Sequence, residues 1–595
     1  MRSCLLAGTC CALSLWAPAL LATQEVSIEP AQEPAQDRTA PANAQANPLV
    51  TVHGEVRNAE TGQPIPRALV RIEGDADTGT LTNGEGRFEI PGVLPGPQLF
   101  EVRKPGFRDR PYGAGALFMD EKITPPHNVL VAAEMPDLVF TLAPTCSIHG
   151  QIDLSTGDPA QGIGVELVVR TVEGGQVQWQ AAHSTKTNSE GMFRFAGLAE
   201  GTYAIYTEPA MESEPATTLV EADSAGTVEH AGYATVFYPD ARDQAGAASI
   251  RLSSGEQAQA NLTLALEPFH TVSASVAPPH DRATGAASDR AGMAYSALIM
   301  DSAGHQLPYR ANYDQETHTI QALLPDGTYS LLVSSVPRQT APASQSNAAG
   351  ADPDAEQLVG SVDFSVAGHA VPNLRVPLSV SHPSPVQVTL ARTATQAAAR
   401  QNVPVVVVAI RAGGWIDDSM VSVYANGSGP GPIEAKFTLP GAYWVRTYNA
   451  HTGLCEASFT AGGSNLAREP AMIGLSGSAA PMELSLRDDC ARLTLSLPLA
   501  LMALSPGEEP SYTVYVVPDF DSTVDVTPLT LRPSTGGTFT LDNLTPGDYH
   551  VYIFDSPARL EYRNPAVLAA LPNPGQAVTL SPGGTSSLVL EAPEH

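Results

Sequence analysis

The chain has 595 residues, with 50 glycines, 51 prolines, a hydrophobic share of 43% and a formal net charge of -30. At roughly 100–200 residues per domain, this length predicts three to six domains, and the hydrophobic share argues against global disorder. Glycine and proline both interrupt helices, so their abundance argues against long ones. The four lysines are scattered along the chain and form no basic cluster, which argues against a nucleic-acid partner.

The N-terminal residues predict export. Arg2 is followed by an apolar run that ends at Ala22, and the sequence then turns polar. A short charged region, an apolar stretch of this length and a small residue at the cut are typical of a secretory signal peptide, here residues 1–22. A membrane anchor is the alternative, since about 20 apolar residues can span a bilayer. No later segment approaches a membrane span, so we expect a mature chain that is periplasmic, at the cell surface or extracellular.

Residues 23–47 are rich in Ala, Pro, Gln and Asn and contain no aromatic residue. Such a segment cannot bury enough apolar surface to order itself, so it is expected to be a disordered linker. After removal of the signal peptide, Cys146, Cys455 and Cys490 remain. Export favours one disulfide, and Cys455 with Cys490 is the expected pair, with Cys146 unpaired. The alternative is three buried cysteines that act as small hydrophobic residues.

One pattern recurs along the rest of the chain. A strand with alternating large apolar residues is followed by glycine, one further residue and tyrosine. Alternation predicts a strand with one buried face, the glycine suits a tight reversal, and the aromatic residue opens the returning strand. The tyrosines are 126, 114 and 106 residues apart, a spacing that fits one β-sandwich per repeat. The recurring tyrosines are Tyr203, Tyr329, Tyr443 and Tyr549.

Each repeat also opens and closes with a strand of alternating apolar residues. We therefore predict an all-β protein, a tandem array of about five β-sandwiches at 48–143, 144–267, 268–380, 381–487 and 488–595. Two polar insertions, near 277–292 and 339–358, are expected to be loops of the third sandwich. The linkers are very short, so we expect a semi-rigid rod. The run Ala566–Leu571 is the best candidate for a short helix.

The first sandwich carries residues that allow a comparison with a known family. His53-Gly54-Glu55-Val56 precedes Thr61-Gly62-Gln63-Pro64-Ile65-Pro66, and Thr82-Asn83, Gly86 and Phe88 follow. This pattern resembles the carboxypeptidase regulatory-like domain, a transthyretin-like, seven-stranded sandwich close to the immunoglobulin-like type and classed among carbohydrate-binding-like folds. The second sandwich repeats the pattern with Thr187-Asn188, Gly191 and Phe193.

Two further segments, Phe237-Tyr238-Pro239-Asp240 and Glu561-Tyr562-Arg563-Asn564-Pro565, resemble multi-copy exported proteins common in acidobacteria. The resemblance implies a fold and an exported setting. It implies no chemistry, because its residues are turn glycines and core aromatics. Domains of this kind often flank peptidase or receptor modules, neither of which is evident here.

No group of residues indicates catalysis. His53 and Glu55 fall on a predicted strand, and no His-Glu-x-x-His motif exists. Ser476 lies in a Gly/Ser-rich loop that lacks the spacing of a nucleophile elbow. The catalytic and cofactor sites are therefore predicted to be absent; the alternatives are a cryptic hydrolase and calcium binding by two acidic clusters. These clusters are Asp75 and Asp77 with Asn83 and Glu85, and Asp519, Asp521 and Asp525.

Exposed aromatic residues are the remaining binding candidates, because sugar rings stack on flat apolar surfaces. Trp444 follows Tyr443 and should point outward if that tyrosine is buried, and Trp415 lies in a predicted turn after two glycines. The alternative is that each tryptophan covers a sandwich edge or a domain junction. We expect a non-catalytic exported protein for envelope binding or display, with polysaccharide or an envelope protein as partner. The rival hypothesis is an accessory subunit of an exported peptidase or hydrolase.

Overall fold

A computed structural model describes most of the chain from Leu49 onward. The predicted signal peptide, the linker 23–47, Asp75, Asp77, Ser476 and most of both polar insertions lie outside the described residues. The described ranges are 49–74, 78–109, 127–212, 230–277, 294–336, 357–390, 403–412, 414–415, 422–429, 431–435, 437, 439–448, 453–475, 480–502, 506–555 and 558–593.

The first two β-sandwiches each pair two antiparallel-rich sheets. Sandwich 1 contains β1 (Val50–Asn58), β2 (Leu69–Ile72), β3 (Gly79–Leu81), β4 (Arg87–Val93), β5 (Gly96–Arg103), β6 (Phe107–Asp109), β7 (His127–Val131) and β8 (Leu138–Pro144). Sandwich 2 contains β9 (Cys146–Leu154), β10 (Gly164–Glu173), β11 (Gln176–Lys186), β12 (Met192–Leu198), β13 (Gly201–Thr207), β14 (Ala210–Met211), β15 (His230–Tyr233), a 3-10 turn (Gln244–Gly246), β16 (Ile250–Leu252), β17 (Gln257–Gln259) and β18 (Leu262–Leu264).

Sandwich 3 is built on one ten-stranded sheet that also takes in β14 and β15 of sandwich 2. Its own strands are β19 (Leu266–Ala277), β20 (Ala294–Met300), β21 (Gln306–Asp314), β22 (Thr319–Leu324), β23 (Gly327–Val336), β24 (Gln357–Val366), β25 (Val371–Pro377) and β26 (Ser379–Ser381). Because the sheet continues through β15 into β19, sandwiches 2 and 3 share main-chain hydrogen bonds.

The last two sandwiches repeat the two-sheet arrangement. Sandwich 4 contains β27 (Ser384–Leu390), β28 (Val403–Arg411), β29 (Ser422–Gly429), β30 (Gly431–Ala435), β31 (Gly441–Tyr448), β32 (Cys455–Ala461), β33 (Ser464–Asn465), β34 (Ala471–Ile473) and β35 (Met482–Arg487). Sandwich 5 contains β36 (Ala491–Ser496), 3-10 turns (Leu499–Leu501, Pro533–Thr535), β37 (Gly507–Glu508), β38 (Tyr512–Pro518), β39 (Leu529–Leu531), β40 (Thr538–Leu544), β41 (Gly547–Phe554), α1 (Pro565–Ala569), β42 (Gln576–Leu580) and β43 (Thr585–Val589).

The same pairing scheme recurs in all five sandwiches. The opening strand pairs in parallel with a closing strand, as β1 does with β8 and β36 with β43. Its other edge pairs antiparallel with the strand that precedes the repeated glycine. The predicted all-β tandem array of β-sandwiches is confirmed. Helix α1, the one α-helix in the described part of the chain, overlaps the predicted short helix.

The four repeated tyrosines have one structural role. Each is buried, and each hydroxyl donates to the backbone carbonyl four residues earlier: Tyr203 to Ala199 (2.8 Å), Tyr329 to Pro325 (3.0 Å), Tyr443 to Leu439 (2.9 Å) and Tyr549 to Thr545 (2.7 Å). Burial raises the pKa of the Tyr203, Tyr329 and Tyr549 hydroxyls, so they remain protonated donors. The ring fills the core while the hydroxyl ties down the preceding turn.

The Thr-Asn-Gly residues that carry the family resemblance also build turns. The Thr82 hydroxyl accepts from the Ala68 amide (2.8 Å) and donates to the Ile65 carbonyl (2.7 Å). The Asn83 side chain accepts from the Glu85 and Arg87 amides, both at 2.9 Å. Thr187 and Asn188 make the same bonds in sandwich 2. The side chains of these polar residues therefore form hydrogen bonds with backbone N–H and C=O groups, which would otherwise lack partners in the buried loops.

The expectation of a rod is wrong, because the last sandwich contacts the first two. β37 of sandwich 5 pairs antiparallel with β7 of sandwich 1, and residues 559–563 contact the turn between β10 and β11 of sandwich 2. Short linkers keep consecutive sandwiches close together, but they do not determine the angle between one sandwich and the next.

Candidate functional site

The two tryptophans proposed as sugar platforms occupy different environments. Trp415 is only 6% exposed, and its ring lies 5.1 Å from Trp179 and 5.7 Å from Phe237, centroid to centroid. Trp415 is therefore not an exposed platform, and the alternative that it covers a domain junction holds, because its ring fills an apolar cluster that joins sandwiches 2, 3 and 4. Trp444 lies on β31 opposite Ile410 and is half-buried, while its neighbour Tyr443 is fully buried.

The cysteines are placed at a domain junction. A disulfide joins Cys455, the first residue of β32, to Cys490, which lies in the segment between sandwiches 4 and 5; the two Cα atoms are 5.8 Å apart. Cys146 is buried and lies outside any disulfide, and burial raises the pKa of its thiol. The covalent link therefore constrains the chain where one sandwich passes into the next.

The aspartates of the second acidic cluster point to separate partners. The Asp519 carboxylate lies 2.7 Å from His550 Nδ1, Asp521 accepts from the Arg468 guanidinium at 2.9 Å, and Asp525 accepts from the Tyr562 hydroxyl at 3.1 Å. Across the described ranges, no three His, Cys, Asp or Glu side chains converge as a metal site requires. Each of these aspartates has a local structural role.

Two glutamates of sandwich 2 lie close together. Glu166 is half-buried on β10, and Glu208 is an exposed residue that follows β13. Burial raises the pKa of Glu166 to about 7, and repulsion from Glu208 adds to the shift. His53 and Glu55, which were also considered from the sequence, both lie on β1. His53 is exposed and Glu55 is half-buried.

The hairpin of β10 and β11, which we call the arm, carries the main contacts between distant sandwiches. Its tip is the turn Gly174-Gly175, and both glycines have positive φ angles, +55° and +75°. A Cβ atom on Gly174 would lie 2.2 Å from Cζ of Arg446, and one on Gly175 would lie 2.6 Å from the ring of Tyr562. Only glycine combines this backbone conformation with so close an approach.

The surface that receives the arm tip, which we call the socket, comes from sandwiches 4 and 5. Arg446 is 2% exposed and donates from Nη2 to the Glu173 carbonyl at 2.7 Å. Arg563 donates from Nε to the Gly174 carbonyl and from Nη1 to the Ser522 carbonyl, both at 2.9 Å. The socket therefore matches the carbonyl-rich turn with two guanidinium groups, which have donors only.

Further ion and hydrogen-bond pairs flank the tip. Arg170 of the arm donates to Glu561 at 2.6 Å, and Arg559 donates to the Thr171 hydroxyl at 2.8 Å. Glu561 is 8% exposed. Such partly buried charge-assisted bonds are stronger than exposed ones and fix orientation.

A buried carboxylate joins sandwich 4 to sandwich 5 beside the disulfide. Glu456 is 3% exposed and accepts from the Thr523 amide (2.7 Å), the Thr523 hydroxyl and the Thr447 hydroxyl (2.7 Å). Its backbone carbonyl accepts from Thr545 at 2.7 Å. A buried carboxylate that accepts several bonds is stable only if all of its partners stay in place.

Sandwiches 1 and 5 meet along the two-residue strand β37. Next to it, His127 Nδ1 lies 2.6 Å from Glu508, and the Asn128 side-chain amide donates to Glu509. The junction borders a cleft of about 400 Å³ lined mainly by apolar residues, among them Pro97, Leu130, Pro136, Leu138, Val139 and Pro506.

A second cleft, of about 420 Å³, lies between sandwiches 2 and 3. It opens on the face of the continuous sheet that runs through β15, β19, β22 and β21. Its polar lining comprises Glu208, His230, Thr271, Arg310, Asn312 and Gln321. Its apolar lining includes Met211, Phe269 and Tyr309, so polar and aromatic groups face the same space.

Sequence reasoning missed the arm and the socket. Glu561, Tyr562 and Arg563 were noted only for their resemblance to other exported proteins, and they prove to form half of the socket. Two sequence signals pointed to this contact. One is the Gly174-Gly175 pair between two long strand-like runs, and the other is Arg446 inside an otherwise apolar strand.

Comparison with known proteins gives a family match within the first sandwich. Residues 51–121 match the family model for the carboxypeptidase regulatory-like domain. No curated protein matches the chain in sequence. Similar solved structures include the Bacillus anthracis TIE protein (12% identity, 75% of each chain, TM-score 0.16). Others are a streptococcal ancillary pilin (12%, 56% of this chain and 99% of that chain, 0.18) and GBS52, the minor pilin of Streptococcus agalactiae (15%, 36% and 95%, 0.18).

The family match covers β1–β6, whose opening strand and Thr-Asn turn were the basis of the resemblance drawn from the sequence. In the described part of the chain, no helix has the length and apolar character needed to cross a bilayer.

Proposed function

We propose that the protein is an exported, non-catalytic component of the cell envelope whose five β-sandwiches, bounded near 144, 268, 381 and 488, form one platform for binding or display. The observation that carries the proposal is how the recurring residues are used. The repeated tyrosines close turns, the Thr-Asn pairs cap loops, and the charged groups of the socket hold the arm. These residues support architecture, which suits a protein that presents surfaces.

The non-catalytic part of this proposal is tested by assaying the purified mature chain. We expect no turnover of peptide, glycan or ester substrates above the buffer rate. Turnover at enzymatic rates that follows the protein through gel filtration would contradict it. The exported part is tested separately by N-terminal sequencing of protein recovered outside the cytoplasm, which should begin at Thr23.

The finer proposal for binding is that the ligand is a carbohydrate. It is supported by the clefts between sandwiches, one of which brings aromatic and hydrogen-bonding side chains together, as small-ligand sites do. Trp444 remains a candidate ligand contact because part of its side chain is exposed. Trp415 is no longer a candidate because it is buried. A polysaccharide panel tests this proposal, and the absence of any affinity better than millimolar would count against it.

The second candidate function is an accessory role beside an exported peptidase or hydrolase. It is favoured by the match of residues 51–121 to a domain named for its place in carboxypeptidases. Affinity purification of the chain from its native envelope should then recover the same hydrolytic enzyme repeatedly. Recovery of the chain alone, under conditions that keep known envelope complexes intact, would argue for an independent binding protein.

A further inference from the structure

The cleft between sandwiches 2 and 3 contains polar side chains that the fold does not use. Asn312 and Gln321 lie directly opposite each other on β21 and β22, and Arg310 lies one alternation away on β21. All three are exposed, and within the described residues none of their side chains makes a hydrogen bond or an ion pair. The guanidinium groups of Arg446 and Arg563 in the socket, in contrast, donate to carbonyl oxygens of the arm.

The floor and wall of this cleft are apolar. Phe269, on β19, is 2% exposed and lies beside Tyr309, with ring centroids 6.3 Å apart. Burial raises the pKa of the Tyr309 hydroxyl to about 12, so this group stays protonated at neutral pH. Met211 adds a partly exposed, flexible side chain at the edge.

We infer that this cleft binds a neutral oligosaccharide, with Asn312 and Gln321 as the hydrogen-bonding pair and the Phe269–Tyr309 side as the apolar surface. The inference rests on the proposed binding function and names its site. A carboxamide offers both donors and an acceptor, and a sugar hydroxyl is likewise donor and acceptor, so two facing amides can bind neighbouring hydroxyls. Cross-strand neighbours have Cβ atoms about 5 Å apart, which brings both amides within reach of one sugar ring.

Other ligand classes fit the cleft less well. An extended peptide adds to the edge of a sheet through its backbone, whereas this cleft lies on a sheet face whose main-chain groups are already paired from β15 through β21. An anion would meet Arg310 and His230, but Glu208 shares the cleft and the chain carries a net charge of -30. The volume of about 420 Å³ lies in the range of small-ligand sites.

The experiment is calorimetric titration of the full mature chain with neutral chito-, cello-, xylo- and manno-oligosaccharides. The test variant is Asn312→Ala with Gln321→Ala, and the matched control is Gln257→Ala with Gln259→Ala, which removes two exposed amides from β17. Loss of two hydrogen bonds should weaken binding of the best oligosaccharide about tenfold or more, while the control variant binds as the unchanged protein does.

Hydrogen exchange gives a second measurement that does not depend on the variants. The bound oligosaccharide should slow exchange in the segments around β21 and β22 and leave sandwiches 1 and 5 unaffected. Binding that is equally tight in the cleft variant, or protection confined to sandwich 4 near Trp444, overturns the inference and leaves carbohydrate binding standing. If the unchanged protein binds no saccharide on the panel, the carbohydrate proposal fails, and the assignment of this cleft fails with it.

Discussion

The buried tyrosine is the residue on which each of the last four sandwiches depends. Its ring belongs to the core, and its hydroxyl satisfies a carbonyl in the turn that precedes the returning strand. One side chain therefore provides apolar burial and a hydrogen bond that stops the turn from opening. In the first sandwich Gln98 stands two residues after Gly96, and its side-chain amide donates to the Leu94 carbonyl at 3.1 Å, while the buried Phe100 fills the core.

Tyr443→Phe tests the hydrogen bond separately from the ring. The substitution keeps the buried aromatic ring but leaves the Leu439 carbonyl without its donor, which should lower the free energy of unfolding by about 1 kcal/mol. Thermal unfolding of the sandwich 4 transition measures the effect. Tyr238→Phe is the control, because Tyr238 is half-buried and its hydroxyl has no partner among the described residues. Equal stability of both variants would show that the tyrosine acts through its ring alone.

Glu166 gives sandwich 2 a pH dependence whose direction follows from its raised pKa. Its pKa is about 7 in the folded chain, against an ordinary value of 4.5. Between these two values the folded state keeps a proton that the unfolded chain releases, so the stability contributed by the protonated form is lost as pH rises to about 7. Below the lower value both states are protonated, and the contribution is complete.

Glu166→Gln removes this titration. We expect the variant to be more stable than the unchanged protein at pH 8 and to have nearly the same stability at pH 4, as measured by urea midpoints. Glu190→Gln, which alters an exposed turn carboxylate, should show no such pH-dependent difference. A Glu166→Gln variant whose stability parallels that of the unchanged protein across this range would show that the pKa of Glu166 is not raised in the folded chain.

At the scale of elements, two kinds of contact hold the tip of the arm in the socket. Its glycines pack closely against the socket, and its carbonyl groups accept hydrogen bonds from socket arginines. Gly175→Ala would place a methyl group 2.6 Å from the Tyr562 ring and force either the arm or the socket to move. Overpacking of this kind costs about 1–3 kcal/mol. Hydrogen exchange should become faster both at the turn and in residues 559–563, because the two halves of the contact separate together.

Gly157→Ala is a matched control for this variant. Gly157 has a φ of +91° in the same sandwich, but its added Cβ would meet nothing within 4 Å. Both substitutions therefore strain a left-handed glycine, and only Gly175→Ala also disturbs the socket. If both variants changed exchange in residues 559–563 equally, the close packing of the tip would not be what holds the arm.

The disulfide is the second constraint at this scale. It closes a loop of 35 residues that contains most of β32 and all of β33–β35, and it lies next to Glu456. Cys490→Ser should destabilise the sandwich 4 transition by about 2–4 kcal/mol, mainly by freeing the unfolded chain. A reducing agent should lower the melting temperature of the unchanged protein but not that of the variant. Cys146→Ser should respond to reduction as the unchanged protein does.

At the scale of the molecule, sandwich 5 contacts sandwiches 1, 2 and 4, so the ends of the described chain lie in one assembly of domains. Glu508→Ala with Glu509→Ala removes the carboxylates that meet His127 and Asn128. We expect this variant alone to change the distances between labels on sandwiches 1 and 5 only slightly, because the arm still holds sandwich 2 to sandwich 5.

Adding Gly175→Ala to that variant should broaden the label distances well beyond the sum of the two separate effects, since two contacts close the same arrangement. Pulsed electron spin resonance with labels at the exposed positions Leu94 and Val589 measures this. Strict additivity of the two effects would show that the contacts of sandwich 5 with sandwiches 1 and 2 are independent.

The sequence predicted the strands, the short helix and the all-β class because these follow from local periodicity and turn residues. It did not predict the return of sandwich 5, because contacts such as Arg563 with Gly174 join residues almost 400 positions apart and leave no local pattern. For Trp415 the sequence left exposure and a place at a domain junction as alternatives, and the structure shows the second. Two neighbouring glycines indicated a turn, and nothing in the local sequence showed that a second sandwich would cover the ring.

The arm also has a consequence for the order of assembly. A chain that crosses a membrane from its N-terminus delivers the Gly174-Gly175 turn long before residues 559–563 emerge. Arg446 can already donate to the Glu173 carbonyl by then, but the Gly174 carbonyl lacks its Arg563 donor and can bond only to water. Closure of the assembly is therefore the final event of biogenesis, and a chain cut short after sandwich 4 would display an arm tip lacking its Arg563 partner.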